Sequence, residues 1–327
     1  MESELEQAPP SSMNKQWVRT ICQRKPVVDE DDRRQRHVWG LADLSNANGR
    51  VIVTVGDAGF SLWELDEGRA TRIGSQSGIS IEYCLADSRL RKIVTLSHHE
   101  GEVHIWDAHS LSAPIMVAKD ITHIYLCGSG KVAALDYRGS VRIFSTENGC
   151  VLKEFFADKR DSALMDDAPF SAEARFLVHA DCKQIIVWDI DSGVMCKELI
   201  LPDSAWLSDG LFLDKRKVAA IDLEGSVYIW NLDEDSCQEI LPQYRGAEGW
   251  LGQLISLQGV GSAVFAAAAW GPGEEGWVSI FDSEGRLVDG IALDAAPTAI
   301  AALAGGGIAV GYGDGWEVYE WKEAVNV

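Results

Sequence analysis

KVAALDYRGSVRIF, residues 131–144, returns at residues 217–230 as KVAAIDLEGSVYIW. In each copy an apolar run of Val, Ala, Leu and Ile meets a polar tetrad that begins with Asp and ends with Gly. A second run, alternating Val and Ile with Tyr or Arg, then closes on an aromatic residue. Asp and Gly in a short polar gap between β-prone runs specify a tight hairpin: the Asp side chain caps backbone N–H groups and Gly supplies a positive φ. Each copy is therefore read as two antiparallel strands, and the pair as duplicated units of one architecture.

Working outward, the second run recurs seven times. The copies are GFSLWEL from Gly59, GEVHIWD from Gly101, GSVRIFS from Gly139, QIIVWDI from Gln184, GSVYIWN from Gly225, GWVSIFD from Gly276 and GWEVYEW from Gly315. Their aromatic residues Trp63, Trp106, Phe144, Trp188, Trp230, Phe281 and Tyr319 are separated by 43, 38, 44, 42, 51 and 38 residues. A period near forty is the mark of a propeller array. The repeated strand resembles the third strand of a blade in the WD40-repeat β-propeller family, where Trp-Asp commonly closes it. Trp106-Asp107 and Trp188-Asp189 match outright; Trp63-Glu64, Trp230-Asn231 and Phe281-Asp282 are near matches, and Phe144-Ser145 and Tyr319-Glu320 weaker ones. The family's Gly-His dipeptide does not occur, which marks a divergent member.

The expected fold is all-β, a single seven-bladed propeller over residues 15–327, after a disordered acidic tip at residues 1–14. Four strands per blade are legible in blade two (SIEYCLA, KIVTLSH, EVHIWD, APIMVA), blade three (THIYLCG, KVAALDY, SVRIFS, CVLKEFF) and blade five (GLFLD, KVAAIDL, SVYIWN, SCQEIL). Blade seven has only KEAVNV after Trp321, too little for an outer strand. Open sheet edges are avoided or covered, and KQWVRTICQ at residues 15–23 has the Val, Ile, Thr and Trp content of a strand. An N-terminal strand is thus expected to close the ring.

Among the 327 residues, 50 Asp and Glu outweigh 29 Lys and Arg, a formal charge of −21. That field opposes direct binding of nucleic acid or anionic membrane and favours encounter with basic partners. No apolar run reaches membrane-spanning length. The N-terminus lacks the apolar core of a secretory signal. The seven scattered Cys read as free thiols buried in a reducing compartment, cytoplasm or nucleus.

Residues with chemical potential are read as structural. Asp57, Asp136, Asp181, Asp222 and Asp314 precede third strands and read as turn caps. His98-His99-Glu100 lacks a complete ligand set. Neither Gly128-Ser129-Gly130 nor Gly305-Gly306-Gly307 has the context of a nucleophile or phosphate loop. No enzyme activity, cofactor or metal is expected.

Trp, Tyr and Arg dominate interface hot spots. Tyr137, Arg138, Lys183, Trp206, Tyr244, Arg245, Trp250 and Trp270 fall in inner turns and long links, and are the candidate partner-binding residues of one face. Arg89, Arg91, Lys92, Lys215, Arg216 and Lys217 are expected to form basic patches on the other. The family resemblance implies a non-enzymatic intracellular scaffold or adaptor that presents a rigid face to peptides or partner domains, as a monomeric propeller in a larger complex. The alternatives are an acidic assembly chaperone for a basic histone or ribosomal-protein segment, and an enzyme with an unrecognised site on the propeller face.

Overall fold

The computed structural model describes residues 15–24, 37–47, 49–97, 99–128, 130–156, 170–173, 176–181, 184–200, 207–214, 216–222, 225–234, 236–240, 252–257, 263–270 and 276–323, with backbone only for residues 15, 170–184, 263, 264, 270 and 323. These residues form seven four-stranded antiparallel sheets. In chain order the innermost strands are Gly40–Asp43, Ile81–Asp87, Ile121–Leu126, Phe170–Glu173, Leu207–Phe212, Gln253–Ser256 and Ala299–Leu303. Each touches the innermost strand of the next sheet, and the seventh touches the first, so the sheets close a ring.

Closure is made by Lys15–Cys22, which pairs antiparallel with Gly315–Glu323 as the outer strand of blade seven. The register runs from Lys15↔Glu323 to Cys22↔Glu317, as expected from the Trp, Val, Ile and Thr content of residues 15–23.

The core lies between blades. Trp106 is 1% exposed and meets Phe60 of blade one edge-on, with ring centres 5.1 Å apart. Trp188 packs on Phe155 of blade three, and Trp63 on Trp316 of blade seven. The aromatic residue of the repeated strand thus fills the seam with the preceding blade. Where Thr stands on the second strand, the indole is also anchored: Trp63 donates to Thr54 Oγ1 at 3.0 Å and Trp106 to Thr95 Oγ1 at 2.9 Å.

The Asp after the aromatic residue has a local cause. Asp107 Oδ1 accepts from His109 N and Ser110 N, each at 3.0 Å, and Asp189 Oδ1 from Asp191 N and Ser192 N at 2.9 and 3.0 Å. The carboxylate caps the hairpin into the outer strand, and Asn231 keeps one such bond, to Asp233 N at 3.0 Å. In two of these hairpins Gly is required twice over. Gly149 and Gly285 have φ of 74° and 73°, and a Cβ there would lie 2.6 Å from Val117 Cγ1 and 2.4 Å from Ile240 Cδ1 of the preceding blade.

Innermost strands are sheet edges, so their outward N–H groups need acceptors. Two seams supply them from side chains: Asp209 Oδ2 accepts Leu254 N at 2.7 Å, and Gln253 Oε1 accepts Ile300 N at 2.9 Å. Burial pushes the Asp209 carboxyl up to about 7, against the opposing pull of the Leu254 and Gly210 N–H groups. A carboxyl raised in the folded state contributes stability that is complete below its unfolded value near 4 and is lost as pH rises through 7. Stability at pH 8 is therefore expected to fall below that at pH 5 by a few kcal/mol from this group, on the order of 1.4 kcal/mol per unit. Asp209→Asn should flatten that part of the profile in chemical denaturation, and an unchanged slope would refute the assignment.

The thiols depart from expectation. Cys84 and Cys127 are buried, but Cys22, Cys150, Cys196 and Cys237 are exposed on outer strands or their hairpins. Outer strands bury less of themselves than the three strands inside them, so a small residue there faces solvent. The first strand of blade five also begins earlier than GLFLD, at Leu207, because the polar Ser208 and Asp209 are drawn in by bonds to Gly252 and Leu254.

Candidate functional site

Turns from second to third strands, together with links from outer to inner strands, build one face of the ring. In blade three that turn is Asp136 to Ser140. Asp136 Oδ1 accepts Arg138 N and Ser140 N, each at 2.9 Å, and Gly139 takes φ 79°. The turn is rigid because its cap is also an ion-pair acceptor, with Arg142 Nη2 at 3.3 Å from Asp136 Oδ2.

This support lifts Tyr137 and Arg138 into solvent. Tyr137 is 50% exposed. Arg138 Nε donates to Tyr137 Oη at 2.8 Å, and its guanidinium carbon lies 5.1 Å from the ring centre. The hydrogen bond to Tyr137 raises the guanidinium's proton affinity further. A cation and an aromatic ring are thus held as one unit that needs little ordering on contact.

Beside it, on blade two and the link into blade three, Lys119 Nζ meets Glu102 Oε1 at 2.5 Å, and His104 Nε2 lies 3.5 Å from Glu102 Oε2. Lys119 holds the Glu102 carboxyl below the usual range, while burial lowers His104. Blade seven's sector is internally satisfied: Arg24 stacks 4.2 Å above the Tyr312 ring centre and bonds Asp314 at 2.8 Å and Asp294. Tyr83 and His123 occupy equivalent positions on innermost strands, the first residues past a bulge. Burial raises the Tyr83 hydroxyl and lowers His123 to about 4, so both stay neutral.

Of the residues expected to bind partners, Tyr137 and Arg138 are together and exposed. Lys183, Trp206, Tyr244, Arg245 and Trp250 lie outside the described residues, as does the side chain of Trp270. Two of the five Asp are not turn caps: Asp57 accepts Trp39 Nε1 and Ser80 Oγ, both at 3.1 Å, and Asp314 accepts Arg24 Nε. Both tie a turn to a neighbouring link, whereas Asp136 and Asp222 cap as expected. The side chain of Asp181 is outside the described residues.

Of the six basic residues expected on the opposite face, Arg89 is exposed, Lys215 lies outside the described residues, and the other four are engaged. Arg91 donates to Leu44 O at 2.7 Å, Lys92 pairs with Asp107 at 3.1 Å, Arg216 with Asp233 at 3.3 Å and Lys217 with Glu284 at 2.8 Å. Carboxylates that sequence places in separate loops thus meet Lys92, Arg216 and Lys217. Among the described residues, no group of three or more His, Cys, Asp or Glu is placed to hold a metal ion. No helix among them is long and apolar enough to cross a membrane.

Neither a protein-family model nor a curated protein matches the chain in sequence. Among solved structures, the chain is similar to the WD40 β-propeller domain of Doa1, with 13% identity and a TM-score of 0.69 over 94% of this chain and 97% of that one.

Proposed function

We propose, for a chain with the fold of a WD40 β-propeller, that it is a non-enzymatic scaffold or adaptor whose partner-binding face is the one bearing Tyr137 and Arg138. WD40 propellers in general mediate protein–protein interaction. The observation that carries the finer reading is the Tyr137–Arg138 unit, exposed and pre-ordered on a capped turn. Aromatic and guanidinium anchors on rigid supports lose little freedom on binding, and this is what concentrates binding energy. The partners are peptides or protein domains in the cytoplasm or nucleus, and neither cofactor nor nucleic acid takes part. The charge of −21 favours one second reading, an acidic assembly chaperone for a basic histone or ribosomal-protein segment.

Partners are to be captured from native cells and measured by calorimetry. Tyr137→Ala with Arg138→Ala is expected to weaken the principal partner by about 1–2 kcal/mol, roughly 5- to 30-fold, with the melting temperature unchanged. Binding that survives this pair but is lost on charge reversal of Arg89 and Arg216 would put the working surface on the other face. Affinity for basic peptides that collapses between low and physiological salt would favour the chaperone.

A further inference from the structure

Outer strands of blades three and four, Val151–Phe156 and Val194–Ile200, carry one pattern: Lys153-Glu154-Phe155-Phe156 and Lys197-Glu198-Leu199-Ile200. In both, the Lys donates to a backbone carbonyl of the next blade, Asp191 O and Leu232 O, and the following apolar residue, Phe155 or Leu199, is buried. Beside the exposed Glu154, Cys196 and Glu198, six apolar residues remain outside: Val151 56%, Leu152 52%, Phe156 65%, Val194 59%, Met195 38% and Ile200 69% exposed. Blade one's outer strand, Arg69–Ser77, instead carries Arg69 and Arg72, the usual protection of an edge, and a single exposed large apolar residue, Ile73.

We infer that this rim is a self-association surface, with blade three of one copy set against blade four of a second and the reverse contact made by symmetry. Local charge selects the occupant. Two copies of a chain of charge −21 repel, but these two strands carry Lys153 and Lys197 against Glu154 and Glu198, a net charge of zero. Their repeated pattern gives adjacent, equivalent surfaces, which a two-fold axis can pair reciprocally.

Area sets the strength. The six exposures amount to between three and four fully exposed residues. At roughly 100 Å² each this gives about 350 Å² of apolar surface per copy. With apolar area near 65% of such an interface, about 1,100 Å² is buried in total, the low end for a specific contact. An interface of this size fits a reversible dimer with a dissociation constant in the micromolar range, where sequence alone leads to the expectation of a single copy.

Sedimentation velocity from about 1 to 200 µM tests this. The wild type should shift from one to two chain masses. Phe156→Glu with Ile200→Glu should raise the dissociation constant at least tenfold, while Ile73→Glu with Leu287→Glu on blades one and six should leave it unchanged. A short bismaleimide should join Cys150 of one copy to Cys196 of the other, which also tests the contact should the paired variant fail to fold. A monomer throughout the range, equal dissociation constants in the two variants, open-ended growth or cross-links through Cys22 or Cys237 would each overturn the inference. A different protein captured by this rim while the free chain stays monomeric would do the same. Phe156 and Ile200 stand opposite Ser140 and Gln184, at the partner-face ends of their strands, so independence is tested at the other ends. Val151→Glu with Val194→Glu, opposite Phe144 and Asp189, should weaken self-association and keep partner binding, and the two readings then fail independently.

Discussion

Removing residues 1–23 should cost the fold about 5 kcal/mol or more, a drop in melting temperature of roughly 10 °C or outright aggregation, while removing residues 1–14 should leave the melt unchanged. The longer deletion takes away Lys15–Cys22, the partner of Gly315–Glu323 along its length. It strips the Trp17–Trp321 contact, with ring centres 5.5 Å apart, and takes the buried Ile21 out of the cluster that it forms with Leu65, Trp316 and Val318. It also leaves a long strand edge free to pair with another molecule. Differential scanning calorimetry with light scattering distinguishes the two truncations, and equal melts would show that the ring holds without this strand.

Glu317→Ala should be nearly as damaging as losing the strand. Glu317 is 0% exposed, and its carboxylate gathers four donors. Arg19 Nη1 and Cys22 Sγ reach Oε1 at 2.9 and 3.3 Å; Tyr312 Oη and Tyr319 Oη reach Oε2 at 3.1 and 2.7 Å. Burial, with the carboxylate beside them, pushes both phenols well above their ordinary value, so they remain donors. Removing the acceptor strands two buried hydroxyls, at about 1–3 kcal/mol each, while the exposed Arg19 guanidinium turns to water, for a total of about 3–5 kcal/mol. Glu317→Gln, which keeps two acceptor lone pairs, should cost less than half of that. If Ala and Gln behaved alike in urea denaturation, the carboxylate would not be the clasp.

Sequence made the blades legible because the strand code is local: β-branched alternation, an aromatic residue at the seam and an Asp that caps its own hairpin all act within a few residues. Even the closing strand could be read, since Val, Ile, Thr and Trp after a polar tip have no better use. Glu317 could not. In GWEVYEW it reads as a solvent-facing strand residue, and its burial depends on Arg19 and Cys22, nearly three hundred positions away. Asp209 was hidden for a related reason: LSDG has the composition of a turn, and only the neighbouring blade's N–H shows it to be a seam residue. Tyr137 and Arg138 were legible because the turn that displays them is built from its own residues. The pairing of Lys217 on the opposite face was not, because it meets Glu284 only once two blades are side by side.

The clasp between Arg19 and Glu317 spans 298 residues of chain, and that separation has a kinetic meaning. Joining two points so far apart costs about 5 kcal/mol in loop-closure entropy, and contacts of this kind form late in folding. During synthesis the strand Lys15–Cys22 emerges well before Gly315–Glu323 and cannot pair until that strand has left the ribosome. At about 5–20 residues per second this is an interval of roughly 15 to 60 s. Throughout that time blade one has no blade seven beside it, and the apolar side chains of Ile21, Val38 and Trp63 lack their seam. The propeller is therefore most exposed to misassembly while its ring still lacks the last blade, and holding an unpaired strand over that interval is a task for the cell's chaperones.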